Sequence, residues 1–327
     1  MKIFEERTLL KCGYDLKNIS PLGEVLFFDI ETTGLKKETT GLYLMGCGYF
    51  DGEDYCIKQW LSEGALDERE ILEEFAVFAG GFKTLIHFNG DGFDIPYVTY
   101  KMEYYGIDFS FDSFVSFDIY RQVKPCKKLL GLSRMGQKAI EEFLKIKRDD
   151  EMDGGRLIPY YFDYERTGSG EAERLLLLHN HDDVLGMLGL CGALSYADLY
   201  AGRFSFKSVR RLDGFLVLEL ALASPVPRSV EISLANGTIL CADGSLFQIS
   251  LPITEGDVKV PVADYKNYYY LTEEDTVIHK DLGRFVEARY RKQAKAETAW
   301  ARVPEDVFLS QNAAYFERCA RATVTLI

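Results

Sequence analysis

The sequence has few of the residues that build metal sites from thiols and imidazoles. Its 327 residues include seven cysteines, four histidines and no Cys-x-x-Cys pair. An odd number of scattered cysteines predicts neither a disulfide framework nor a structural zinc site. Such cysteine usage fits a reducing compartment, and we therefore expect a cytoplasmic protein.

Long uninterrupted apolar segments are also missing. The most apolar stretch, residues 175–194, contains two histidines and two aspartates, so it predicts no membrane span. The first residues, Met1 to Arg7, contain no apolar signal core. We found no internal repeat and no low-complexity segment. We therefore expect no membrane partner.

An excess of cationic side chains is absent too, because the net charge is −13. This charge argues against a protein that coats nucleic acid by electrostatic attraction alone. It does not exclude a nuclease, since a metal site concentrates acids. Residues 201–327 carry 16 cationic and 16 acidic side chains, so the whole acidic excess lies in residues 1–200. From this balance alone, we expect the C-terminal part to supply phosphate-facing cations.

The length and the order of predicted elements indicate two domains. Over residues 1–200, strands and helices interleave, which is typical of an α/β mixed sheet flanked by helices. From residue 201, predicted strands follow one another, with turns at Asn236-Gly237 and Asp243-Gly244. We predict a smaller β-rich accessory domain of unknown role over residues 201–327, with a helical end.

The individual elements follow from apolar periodicity and end signals. Asp67 is the predicted cap of the first helix. In the first domain, strands are predicted over residues 24–30, 42–50, 54–61 and 84–88, and helices over 67–79, 93–105, 132–146 and 171–200. In the second, strands are predicted over 212–222, 229–233, 238–241, 246–251 and 258–262, and helices over 273–290 and 294–301.

Asp29 and Glu31 close the first predicted strand. Alternate residues of a strand share a face, so both carboxylates point the same way while Ile30 points into the core. Two adjacent carboxylates repel each other unless a cation lies between them. Hard divalent ions such as Mg²⁺ or Mn²⁺ prefer such oxygen ligands. The alternative is a strand that ends in two solvated acids.

Asp94 begins a predicted helix directly after the strand that ends at residue 88. Its carboxylate should therefore lie at the sheet edge where Asp29 lies, although an acid can also simply stabilise a helix N-terminus. Asn89, in the same connection, is predicted to contact a nucleotide sugar or phosphate. The loop after Glu31 supplies four further candidate substrate contacts: Thr32, Thr33, Gly34 and Leu35.

His179 and Asp183 lie four residues apart on the last predicted helix, so they share one face. The surrounding residues are apolar, which predicts a buried helix, and buried charges need partners or a metal. His179 is a candidate general base, or a hydrogen-bonded core histidine. His181 and Asp182 are predicted to be solvent-facing or structural. Asp118 is predicted to cap a helix rather than join the site.

These segments resemble the three motifs of the DEDD (DnaQ-like) 3′–5′ exonuclease superfamily. Residues 28–35, Phe-Asp-Ile-Glu-Thr-Thr-Gly-Leu, match the first motif, Asn89-x3-Phe93-Asp94 matches the second, and His179 with Asp183 corresponds to the third. Residues 129–148 and 153–161 resemble, in particular, YprB-type ribonuclease H-like proteins. The resemblance covers roughly residues 20–200.

The resemblance implies a two-metal 3′–5′ exonuclease that hydrolyses single-stranded or frayed DNA or RNA to nucleoside monophosphates. It assigns Asp29 to both metals, Glu31 and Asp183 to the first, and Asp94 to the second. It leaves the identity of the general base open, because His179 stands at the position, relative to Asp183, where one subgroup of the family has a tyrosine. An imidazole accepts a proton at neutral pH more readily than a phenol does.

Two other functions stay open. A nuclease-derived fold can bind nucleic acid ends without cutting them, and a structure-specific endonuclease would keep the metals but change the substrate. The tyrosines and cations of residues 264–295 could stack bases and neutralise phosphates. The alternative is a strand of tyrosines packed on a helix. Protein partners are not predicted.

Overall fold

The computed structural model describes residues 1–8, 12–52, 54–150 and 152–327. The chain divides by its contacts into two compact units. The first unit comprises residues 1–124 and 134–194, and the second comprises residues 125–133 and 195–327. The predicted domain boundary after residue 200 stays a prediction, because a division by contacts does not test independent folding.

The described residues of the first unit form a six-stranded sheet. Its strands are β1 (Lys2–Thr8), β2 (Val25–Thr32), β3 (Leu42–Asp51), β4 (Asp54–Leu61), β5 (Thr84–His87) and β6 (Val115–Asp118). Their order in the sheet is β1-β4-β3-β2-β5-β6. The neighbouring pairs from β1 to β2 are antiparallel, whereas β2, β5 and β6 are parallel. The predicted mixed sheet is confirmed.

Helices accompany this sheet, as predicted. They are α1 (Asp67–Ala79), α2 (Asp94–Tyr105), α3 (Ile119–Val123), α4 (Gln137–Leu144), α5 (Gly154–Thr167) and α6 (Gly170–Leu190). The sequence reasoning did not predict β1 or α5. Asp67 does not cap α1; it is the first helical residue, and its carboxylate accepts a hydrogen bond from the Glu63 N–H at 2.8 Å.

Two helix predictions had the wrong bounds. The helix predicted from residue 132 begins only at Gln137, because Gly136 before it has an extended backbone, with ψ of 159°. The helix predicted over residues 171–200 ends at Leu190. A 3-10 turn over Cys191–Ala193 and a separate helix, α7 (Leu194–Tyr200), follow it. Among the described residues, no helix has both the length and the apolar character needed to cross a membrane.

The side-chain alternation of β2 separates the core of the first unit from its polar edge. Leu26, Phe28 and Ile30 belong to an apolar cluster with residues of α1 and α2. Asp29 and Glu31 therefore point to the other face of the sheet. Helix α6 packs against β2 and β3 and supplies His179 and Asp183.

The second unit is β-rich and ends in helices, as predicted. Its strands are β7 (Phe204–Leu212), β8 (Phe215–Ser233), β9 (Ile239–Thr254), β10 (Asp257–Pro261), β11 (Tyr268–Leu271), β12 (Thr276–His279), β13 (Arg291–Gln293) and β14 (Trp300–Pro304). They form an antiparallel sheet in the order β14-β10-β9-β8-β7 and a small sheet in the order β12-β11-β13. A short helix, α8 (Lys280–Gly283), follows β12, and α9 (Glu305–Leu309) and α10 (Ala313–Val324) end the chain.

The short strands predicted in this unit merge into longer ones. Strand β8 continues through Pro225 and Pro227, where its pairing with β9 shifts register between Ala221 and Val230. Prolines are tolerated at such bulges because the ladder hydrogen bond is already missing there. The predicted turn at Asp243-Gly244 lies within β9, and Gly244 has a φ of 53°.

The helices predicted over residues 273–290 and 294–301 are wrong. Asp275 instead adopts a positive φ of 49° between β11 and β12. Its carboxylate accepts hydrogen bonds from the Tyr270 hydroxyl at 2.8 Å and from Lys259 Nζ at 2.6 Å. Trp300 pairs with Pro261 as the first residue of β14. These contacts with residues outside the predicted helices override the local helical pattern.

Candidate active site

The predicted acids converge because three parallel strands end at one edge of the first sheet. Asp29 and Glu31 lie near the end of β2, and Asp94 begins α2 just after β5. Asp118 is the last residue of β6. The carboxyl ends of parallel strands form the usual position for a site in an open α/β sheet.

Asp29 is held by an amide chain from the body of the unit. Its Oδ2 accepts a hydrogen bond from Asn180 Nδ2 at 2.9 Å, and Asn180 Oδ1 accepts one from Gln59 Nε2 at 2.8 Å. Gly46 pairs with Asp29 in the neighbouring strand. A Cβ atom at Gly46 would lie 2.1 Å from Asn180 Oδ1, so only glycine leaves room for this amide.

His179 lies between two of the predicted metal ligands. Its Nε2 is 3.3 Å from Glu31 Oε1 and 3.3 Å from Asp183 Oδ2. One ligand atom from each of these three residues lies within 4.8 Å of the others. The i,i+4 spacing on α6 therefore brings His179 and Asp183 together, as the sequence predicted.

The other nitrogen of His179 is bound to an acid. Nδ1 lies 2.7 Å from Asp150 Oδ2, and both residues are buried. Although burial opposes ionisation, hydrogen bonds from the Met152 N–H and from His179 lower the pKa of Asp150. The charged carboxylate favours the tautomer with its proton on Nδ1, so Nε2 is the nitrogen that faces Glu31 and Asp183.

Arg148 connects this pair to the rest of the site. Its Nη1 donates to Asp183 Oδ1 at 2.8 Å and to Glu141 Oε2 at 3.0 Å, and its Nη2 donates to Asp150 Oδ2 at 3.2 Å. One guanidinium therefore orients Asp183 and Asp150 together. Asp183 remains partly exposed, whereas the sequence predicted that it would be buried.

Asp94 approaches the site from α2. Its Oδ1 accepts a hydrogen bond from the Ile30 N–H at 3.3 Å, which places the carboxyl group beside the strand segment that carries Asp29 and Glu31. Burial, together with smaller contributions from Asp183 and Asp118, raises the pKa of Asp94 to about 7, although hydrogen bonds from backbone N–H groups lower it.

Asp29 and Glu31 also resist ionisation. Burial raises the pKa of Asp29 well above its usual range, and Asp183, Asp94 and Glu31 add to the effect. Burial is also the largest cause of the raised pKa of Glu31, and the charges of Asp183 and Asp94 are the next largest causes. Arg148 offsets only part of this repulsion. A set of buried, mutually repelling carboxylates fits hard divalent cations, which prefer oxygen ligands.

A cleft of about 500 Å³ opens beside these groups. Both His179 and Asp183 line it, together with Gly154 at the first turn of α5. Two cations, Arg134 and Lys138, line it as well. The cleft gives a ligand access to the partly exposed Asp183.

The comparisons with known proteins agree with this architecture. A family model described as the RNase H superfamily matches residues 26–195, which is more than half of the chain. The chain belongs to the RNase H superfamily. The matched residues include every acid of the site. The predicted resemblance to RNase H-like proteins is thereby confirmed, while no curated protein matches the chain.

Solved structures show similarity at low sequence identity. A family B DNA polymerase from the archaeon Pyrobaculum calidifontis is 15% identical with a TM-score of 0.45, over 92% of this chain and 46% of the polymerase. Exonuclease I from E. coli in complex with a dT13 oligonucleotide is 11% identical with a TM-score of 0.29, over 92% of this chain and 73% of the exonuclease. The chain thus spans less than half of the polymerase. These scores carry no functional argument.

Within this RNase H superfamily fold, the predicted substrate contacts lie in two places. The hydroxyl of Thr32 donates to the Gly34 carbonyl at 2.9 Å, and the Thr33 hydroxyl accepts from the Gly41 N–H at 2.9 Å. Leu35 is 83% exposed in the same loop. Asn89 lies instead in the connection between β5 and α2, with a positive φ of 61°. Their roles in substrate binding stay predictions.

The neighbouring polar residues have structural contacts. Asp118 caps α3, accepting from the Arg121 N–H, as predicted. It also accepts from the Asn89 N–H at 2.9 Å. Asp182 is buried and accepts hydrogen bonds from the N–H groups of Asp149 and Asp150. It is therefore structural rather than solvent-facing.

Sequence reasoning missed Asn180 and Asp150, and it gave no role to Arg148. Asn180 carried a signal, because it lies four residues from both Leu176 and Val184 and so belongs to the apolar stripe of α6. A polar residue in such a stripe needs a partner. Asp150 and Arg148 lie in a run of charges that is indistinguishable from a solvated loop without the fold.

Proposed function

We propose that this chain is a cytoplasmic, Mg²⁺- or Mn²⁺-dependent 3′–5′ exonuclease of the DEDD type. Its substrate would be single-stranded or frayed DNA or RNA, and its products nucleoside monophosphates. The observation that carries the proposal is the convergent acid set of Asp29, Glu31, Asp94 and Asp183, whose members raise one another's pKa or face a common histidine. The RNase H-like nuclease fold supports it.

The residues divide into ligands and supports. Asp29, Glu31 and Asp183 would hold one cation, and Asp29 with Asp94 would hold the second. When bound, two divalent cations supply charge stabilisation for the attacking and leaving oxygens of a phosphodiester. Asn180 and Arg148 keep Asp29 and Asp183 in place through the hydrogen bonds described above.

His179 is the proposed general base. Its Nδ1 is occupied by Asp150, so Nε2 is the atom that would accept a proton from the attacking water. Its 3.3 Å separations from Glu31 and Asp183 place Nε2 among the proposed ligands. Asp150 stabilises the imidazolium that forms, much as an acid supports a histidine base in other hydrolases.

The direct test uses end-labelled DNA and RNA oligonucleotides of about 20 nucleotides, single- and double-stranded, with Mn²⁺ or with a chelator. We expect a 5′-labelled strand to shorten stepwise with Mn²⁺ only, and Asp29→Asn to abolish nucleotide release. Early release of the 5′ label would contradict the polarity. Cleavage of circular single-stranded DNA would indicate an endonuclease. Binding of ends without any product would indicate a non-catalytic end-binding module.

A further inference from the structure

A strongly cationic segment interrupts this acidic chain between β6 and the middle of α4. From Ile119 to Ile140 the sequence contains six lysines and arginines and no aspartate or glutamate, although the net charge of the chain is −13. It is the longest stretch of the chain without an aspartate or a glutamate. The proposed catalytic role explains none of these cations.

Two of the cations line a cleft of about 270 Å³ beside the loop that leads into Asp94. Arg121 and Lys124 lie there with Tyr120 and Asn89. The Arg121 side chain is 70% exposed and pairs with Asp91 at 2.8 Å. Lys124 Nζ lies 5.3 Å from the centre of the Tyr120 ring. This cleft therefore presents two exposed cations and an aromatic wall.

Two more cations line the cleft that contains His179 and Asp183. Arg134 is exposed at its rim, and Lys138 is half-exposed. Lys138 Nζ lies 3.5 Å from Asp150 and 3.6 Å from Asp153. The cationic segment thus reaches the proposed catalytic residues themselves.

These cations are only partly neutralised. Within the part of the chain that the structure describes, neither Lys124 nor Arg134 has a carboxylate at ion-pair distance. Asp118, the second acid of the smaller cleft, is already bound to the N–H groups of Asn89 and Arg121. The two clefts therefore offer positive charge to an anionic ligand next to acids that would otherwise repel it.

We propose that Arg121, Lys124, Arg134 and Lys138 form a phosphate track that binds the backbone of a single strand of DNA or RNA. The proposal rests on the proposed nuclease function, and it places the phosphate-facing cations in the N-terminal part, whereas the charge balance alone favoured the C-terminal part. Ion pairs with phosphates carry no base information, so the track binds strands of any sequence.

The test measures strand binding separately from catalysis. The variant is Arg121→Gln/Lys124→Gln/Arg134→Gln, which keeps the side-chain stems and leaves Lys138, a neighbour of Asp150, unchanged. Fluorescence anisotropy with a labelled oligo-dT or oligo-U of about 20 nucleotides, in chelator, reports binding without hydrolysis. We expect affinity to fall by about tenfold or more, and the slope of log K against log salt to fall by about 2.

The matched control is Arg69→Gln/Lys83→Gln/Arg166→Gln, which removes the same charge from three exposed side chains of the same unit that each pair with an acid. It should retain the affinity and the salt slope of the wild type. Equal losses in both triple variants, or no loss in the track variant, would overturn the phosphate track.

Hydrolysis separates this proposal from the proposed function. Thymidine 5′-monophosphate p-nitrophenyl ester carries a single nucleotide and is too short to span the track. In Mn²⁺, we expect the track variant to lose at least about ten times more activity on the oligonucleotide than on the ester. If the wild type hydrolyses neither substrate, the exonuclease proposal fails, while the anisotropy result still decides whether the track binds nucleic acid.

Discussion

Two groups of buried acids in the first unit differ in their partners. Glu68 is 6% exposed and accepts hydrogen bonds from the Leu42 N–H, the Tyr105 hydroxyl and Lys101, whose Nζ lies 3.0 Å away. Asp29 and Glu31 are surrounded mainly by other acids that raise their pKa. The difference teaches that a buried carboxylate is not by itself a sign of function. A buried carboxylate indicates a functional site when it lacks a cationic partner.

The largest expected effect is on activity at the acids of the proposed metal site. Asp29→Asn or Asp183→Asn should lower the rate of nucleotide release by about 10³-fold or more, because ligand loss removes several kcal/mol of charge stabilisation. The fold should persist, since the change relieves repulsion. Steady-state kinetics in Mn²⁺ measures the rate of nucleotide release, and a thermal melt measures whether the fold persists. The exposed acid Asp112→Asn is the control, and wild-type rates in a purified Asp29→Asn/Asp183→Asn double variant would refute the metal site.

The next effect concerns stability at the partnered acid. Lys101→Met should destabilise the fold by about 3–5 kcal/mol, because it leaves the buried Glu68 carboxylate without its cation. Chemical denaturation measures this change. Lys83→Met breaks an exposed pair with Glu24 and should cost less than about 1 kcal/mol. Similar losses in the two variants would show that burial does not distinguish these pairs.

A smaller effect is expected where a partner only orients the site. Asp150→Asn should lower kcat by about 10–100-fold with little change in KM, because His179 loses the charged group that fixes its tautomer. The pH profile of kcat should change shape, which a purely structural role would not produce. Asp149→Asn alters the exposed neighbour and should leave kcat unchanged. An unaltered pH profile in Asp150→Asn would remove Asp150 from the mechanism.

The smallest effect links pH to cation binding. The folded state raises the pKa of Asp29 and Glu31, and that of Asp94 from 3.8 to about 7, so it binds these protons more tightly than the unfolded chain. Their contribution to stability is present below the unfolded pKa and is lost as pH rises through the folded pKa. In chelator, the melting temperature should therefore fall by a few degrees between about pH 5 and pH 8.

Mn²⁺ should reverse this trend. It competes with protons for the same oxygens, so its stabilisation should be larger at about pH 8 than at pH 6, by about 1–2 kcal/mol. Differential scanning calorimetry with and without Mn²⁺ measures the difference. The Asp29→Asn/Asp94→Asn variant should lose most of it. Equal stabilisation at both pH values would indicate that the acids do not share a cation.

Much of the site was predictable because the periods of a strand and of a helix determine which side chains share a face. Alternation along β2 puts Asp29 and Glu31 on one face, and i,i+4 spacing on α6 brings Asp183 beside His179. Both rules act within a single element. The position of Asp94 followed from a further local fact, namely that a short connection, residues 88–93, leads from the end of β5 into a helix.

The supports of the site were less predictable because they depend on contacts between distant segments. Asn180 reaches Asp29 only because β3 has a glycine at the opposing position, and Arg148 reaches Asp183 only after α4 has packed on α6. The same limit explains the wrong helices of the second unit. There, Asp275 is bound by Lys259 and Tyr270, and these contacts outweigh local helical periodicity.

The sequence by itself determined the mixed sheet, the three acidic segments and the residues that share a face, because strand and helix periods act over a few neighbouring positions. Only the tertiary structure decided which acids have cationic partners. It alone brought Asp150 to His179 and placed Arg121, Lys124, Arg134 and Lys138 in clefts that acids also line. The physical reason is that charge pairing depends on distance in space, which sequence separation does not measure.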